Sequence, residues 1–168
     1  EREKMTLTPA DTFAFGRDVA CLDFMAVTDH HQPWDSERNK IGELNYERTV
    51  AAAGAITADG RFAAFPGFEF RGAWKNDRQR GDTAVILNEV VPYDVIDQPT
   101  QTDIRALWHD LHGRDYLTIP RFHNGGRLPR NQWYECPYPG VEPYLEIFSC
   151  HGSYEDFDVQ QRDIGEMR

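Results

Sequence analysis

The order of apolar segments predicts an α/β fold with a mostly parallel sheet. Short runs rich in aromatic and β-branched residues recur at 22–27, 61–70, 83–87, 116–119 and 144–148, the length and composition of strands. Helical-period stretches at 37–56 and 103–112 lie between some of them. The resulting order is strand, helix, strand, strand, helix, strand, loop, strand, which is that of an α/β sheet.

Thr8-Pro9-Ala10-Asp11 opens the first helix, with Thr as N-cap, Pro at the first helical position and an acid in the first turn. Ala10, Phe13, Ala14 and Arg17 share one face at helical spacing, and the helix ends between Asp18 and Cys21. Cys21, beside an apolar strand, reads as a small core residue. Leu22 to Val27 is a buried strand, and Thr28-Asp29-His30-His31 is the loop at its carboxyl end. Ser36 then caps a long helix over 37–56, whose Ile41, Leu44, Arg48, Ala51 and Ala55 recur at spacings of three and four.

After the Asp59-Gly60 turn comes the strand Arg61 to Phe70, which Pro66-Gly67 interrupts, predicting a bulge or a bend. Residues 71–82 are a charged loop, 83–87 a short strand, and 92–101 a proline-containing connection. Ile104, Leu107, Trp108 and Leu111 form the buried stripe of the next helix, with Gly113 as its stop. The strand 116–119 leads into Pro120-Arg121-Phe122-His123. Residues 124–142 form a long loop containing Trp133 and Tyr134, and long loops in compact domains usually carry function. A fifth strand, 144–148, runs into Ser149-Cys150-His151-Gly152-Ser153-Tyr154-Glu155.

Composition narrows the function classes. The chain has 168 residues, 28 Asp+Glu against 18 Lys+Arg, and a formal charge of −10, which disfavours binding to a phosphate backbone. No apolar run approaches the ~18 residues needed to span a bilayer, so a soluble chain is expected, either cytoplasmic or exported. Three cysteines (Cys21, Cys136, Cys150) without CxxC spacing suggest neither a disulfide framework nor a structural zinc site.

The strand exits carry the chemistry. In order they present Asp29-His30-His31, Glu69, His123, and His151 with Glu155. If the strands are parallel, these ends converge on one face, and imidazole with carboxylate is a ligand set for zinc, manganese or iron. His109 and His112, three apart in a helix without the adjacent Glu of an HExxH motif, read as helix-surface residues near a dipole.

Taken together, "TPAD…FAFGRD…LDFMAVTDHH", "RFAAFPGFEF", "LTIPRFHN" and "LEIFSCHGSYE" resemble the polymerase-and-histidinol-phosphatase (PHP) superfamily, and within it a bacterial PHP-like family, over residues 6–157. The resemblance implies part of a distorted (β/α)7 TIM-like barrel holding two or three divalent ions and hydrolysing phosphoesters with a metal-activated water. By position it implies His30, Glu69, His123 and His151 as metal ligands, with Glu69 bridging and Asp29 orienting an imidazole. For a hydrolase of this kind Arg121, and Arg71 or Lys75, are the cations able to hold a small anionic substrate, with solvated loop charges as the alternative reading.

Departures from that pattern are as informative. No His-x-His strand precedes Thr6, no closing Asp or Gly-x-His strand follows, Gly81-Asp82 stands in place of a Gly-His pair, and Arg121 occupies a usual histidine position. Residues 1–168 are therefore expected to be one incomplete domain, either a fragment or a fold completed by a second copy or a partner. These departures leave open a degenerate PHP-like binding module without catalysis. The same ligand chemistry also serves an amidohydrolase acting on C–N bonds.

Overall fold

The computed structural model describes residues 7–31, 36–70, 83–97, 104–120, 138–144, 146, 148–149 and 152–153. The element order is α1 (Pro9–Asp18), β1 (Phe24–His31), α2 (Ser36–Ile56), β2 (Ala63–Phe70), β3 (Thr83–Leu87), α3 (Tyr93–Ile96), α4 (Ile104–Asp110), β4 (Tyr116–Pro120), β5 (Phe148–Ser149) and β6 (Gly152–Ser153).

The expected mostly parallel, barrel-like sheet is not what forms. The main sheet is open, four-stranded and mixed, in the order β1-β2-β3-β4. Only β1 and β2 run parallel; β2–β3 and β3–β4 are antiparallel. Connector length gives the reason. A parallel return requires a crossover that spans the sheet, and α2, with 21 residues, is about 31 Å long and does so. Between β3 and β4 the described residues form the four-residue α3 and the seven-residue α4, about 6 and 10 Å long. Neither matches the roughly 17 Å of a five-residue strand, so the chain makes an excursion and returns beside the strand it left. β4, antiparallel to an antiparallel strand, again points the same way as β1 and β2.

Local chemistry places the elements. Thr8 and Asp11 form a capping box at the start of α1: the Asp11 amide donates to Thr8 Oγ1 and the Thr8 amide to Asp11 Oδ2. Phe13 and Gly16 of α1 are buried. Cys21, expected in the core, is instead exposed in a left-handed turn (φ 53°), because the chain reverses there between α1 and β1. α2 forms where expected but buries another face. Tyr46, Thr49 and Ala53 point inward, whereas Leu44, Arg48, Ala51 and Ala55 are exposed. Both polar members of this face carry their own acceptors, Tyr46 Oη donating to Val91 O (2.7 Å) and Thr49 Oγ1 to Asn45 O (2.8 Å), so burying them leaves no hydroxyl unpaired.

The β1–β2 register runs unbroken from Phe24↔Ala63 to His31↔Phe70, so Pro66-Gly67 causes no bulge. Pro66 stands just before the β2–β3 ladder, which begins at Gly67↔Ile86, and its missing N–H removes no bond to β3. Gly67 serves close approach. A Cβ there would collide with the Val85 carbonyl oxygen and lie 2.9 Å from Thr28 Cγ2. A backbone oxygen inside a ladder cannot give way, so Gly67→Ala is expected to cost at least about 3 kcal/mol, the upper end of overpacking. Urea unfolding checks this, and a loss under about 1 kcal/mol would show that the strands have room to part.

The described helices all pack on one face of the sheet. There Phe68, Phe70, Val85, Leu87 and Tyr116 meet Tyr46, Ile96, Ile104, Leu107, Trp108 and Leu111, while Phe13, Ala53, Phe62 and Ala64 form a second cluster around α1. Trp108 is fully buried, its Nε1–H donating to Thr118 Oγ1 (3.3 Å), and the Thr118 hydroxyl donates to Glu142 Oε2 (3.1 Å). Beyond β4, Tyr138-Pro139-Gly140-Val141 is a turn closed by Val141 N–H to Tyr138 O, with Gly140 at φ 83°. It lies against β4 through Thr118 N–H to Val141 O (2.7 Å), and Tyr138 stacks on His112. Of the expected strand 144–148, residues 145 and 147 lie outside the described residues; Phe148 and Ser149 form β5, paired with β6, and the Glu146 amide donates to Pro120 O (3.4 Å).

Candidate functional site

The Thr28-Asp29-His30-His31 stretch, expected as a loop, is the second half of β1. Strand pleat then decides what each residue can reach, since neighbours alternate between faces. Thr28 and His30 share one face with Gly67 and Glu69, their partners across the parallel pair; Asp29 and His31 lie on the helix-covered face with Phe68 and Phe70.

His30 and Glu69 are direct register partners, and His30 Nδ1 stands 3.0 Å from Glu69 Oε1. The two differ sharply in environment: the Glu69 side chain is 4% exposed and the His30 side chain 66%. A carboxylate inside the low-dielectric interior thus faces an imidazole whose other edge meets solvent. Two ligands each about 2.0–2.2 Å from one ion at ordinary coordination angles sit about 2.9–3.5 Å apart. The 3.0 Å approach falls within that range, and it is equally the length of a direct hydrogen bond between the two groups.

His31 has the opposite character. It is 2% exposed, its ring packing edge-on to Phe68 and Tyr93. Nε2 lies 2.9 Å from the Ile96 carbonyl, which can only accept, so Nε2 carries the proton; Nδ1, 3.3 Å from Tyr93 Oη, then accepts from the phenol. With both nitrogens occupied in the core, His31 is a structural pin between β1 and α3. Burial holds its pKa below the ordinary 6.5, and the Ile96 hydrogen bond and Asp97 only partly oppose this. Burial likewise raises the Tyr46 phenol to about 12, and raises Tyr93 with the help of Asp97 and Glu43.

A histidine with a depressed folded pKa takes up its proton first in the unfolded chain. Its contribution to stability is complete above about pH 6.5 and is lost as pH falls below that value. His31→Gln should therefore show a smaller fall in Tm between pH 8 and pH 5 than the parent. Equal falls in the two proteins would mean that His31 is not held neutral.

Asp29 is exposed and sits across the sheet from His30, so the group that touches the His30 ring is Glu69. Asp29, His30, Tyr46, Thr49 and Tyr93 border a depression of about 230 Å³, counting the solvent open above it. His109 is a surface residue beside Asp110, and His112 stacks on Tyr138. Arg121, His123 and His151 lie outside the described residues, as do Arg71, Lys75, Asp82 and Glu155. Among the described residues no three His, Cys, Asp or Glu side chains come together to hold an ion. No described helix is long and apolar enough to cross a membrane.

The fold and the pair define a mixed α/β sheet, its described helices on one face, with an imidazole–carboxylate couple at the carboxyl ends of its parallel strands. Compared with family models, with curated proteins and with solved structures, the chain has no match in any of the three.

Proposed function

We propose that this chain is a metal-dependent hydrolase, with a small phosphoester as the substrate class. The observation that carries the reading is the His30–Glu69 pair, a buried carboxylate set against a half-open imidazole at 3.0 Å. The motif resemblance to the PHP superfamily supports the same chemistry without requiring its barrel.

His30 and Glu69 would hold a zinc, manganese or iron ion. A divalent ion at such a site polarises the ester and makes water acidic enough to attack near neutral pH. The protein's own part is to supply the lone pair of a neutral His30 imidazole and the charge of Glu69. The interior dielectric around Glu69 strengthens its attraction for a cation. Gly67, two residues before Glu69 on the same face, lets β1 and β3 approach β2 closely and so sets the register that pairs His30 with Glu69. His31, pinned by Ile96 and Tyr93, fixes the end of β1 and with it the direction of His30.

Turnover of a generic aryl phosphate tests the reading. Hydrolysis should appear with zinc or manganese, vanish on chelation and return when metal is restored. Hydrolysis of an N-acyl substrate instead would move the reading to C–N chemistry. Bound metal without turnover of either substrate would favour a binding module without catalysis.

A further inference from the structure

We draw no further inference here: the strongest candidate, the exposed apolar patch of Phe15, Val19, Leu22 and Phe24 where α1 turns into the outer strand β1, carries nothing because nothing among the described residues shows what would cover it.

Discussion

Trp108→Ala should remove about 3–5 kcal/mol of stability, the range for deleting a fully buried large aromatic. Against a total of about 5–15 kcal/mol for an ordinary domain, that leaves a marginal or unfolded protein. Two effects add. The indole fills the core between α4 and the sheet and is completely buried, so its loss opens a cavity lined by Leu107, Leu111 and their neighbours. Its Nε1–H also donates to Thr118 Oγ1, and truncation leaves that buried hydroxyl with one partner fewer. Trp108→Phe separates the two terms, since it keeps much of the volume and loses mainly the hydrogen bond, at about 1 kcal/mol. Urea unfolding of both variants is the check. A loss under about 1 kcal/mol for Trp108→Ala would mean that α4 does not anchor the core.

Glu69→Gln should abolish metal-dependent hydrolysis while leaving the fold in place. Glutamine matches the volume of glutamate and keeps an acceptor oxygen, but it removes the charge that draws a cation to the pair. The loss should exceed the ~10–100-fold typical of removing a residue that only orients a ligand. Because His30 is largely exposed, neutralising Glu69 leaves the His30 imidazole in contact with solvent. The Tm should therefore stay within about 4 °C of the parent, roughly 1 kcal/mol for a chain of this size. Unchanged turnover with metal supplied, or a Tm collapse alongside lost turnover, would assign Glu69 a structural role.

Some elements were legible because their signals are local. Thr8-Pro9 with Asp11 marks the start of α1, and Ile104, Leu107, Trp108 and Leu111 mark the buried stripe of α4; each sits within one or two helical turns. β3 and β4 were legible from their β-branched and aromatic residues. Strand direction was not. A pleated strand alternates side chains identically whichever way its neighbour runs, so nothing in Thr83–Leu87 announces the reversal. The lack of a helical apolar period in the sequence between 70 and 83 was the available hint.

The buried face of α2 was misjudged because hydropathy favours Leu44 over Tyr46 and Thr49. What reverses the preference is a pair of carbonyl acceptors that only the folded chain supplies. The site divides along the same line. His30 and Glu69 stood out as polar residues after apolar runs, but their contact follows from register, and register depends on a close approach that Gly67 permits. Reading Thr28-Asp29-His30-His31 as a loop hid the alternation that separates Asp29 and His31 from His30.

Zinc titration of the purified protein by calorimetry, set beside His30→Ala and Glu69→Gln, bears most directly on the claim that His30 and Glu69 together hold an ion. Binding should be tight in the parent and at least about 100-fold weaker in each variant, since each loses one of the paired donors. His31→Gln should lose far less affinity than either, because His31 gives the ion no donor and acts only by fixing the end of β1. Equal zinc affinity in the parent and in both His30→Ala and Glu69→Gln would contradict the claim, leaving the 3.0 Å contact as a strand-to-strand ion pair and nothing more.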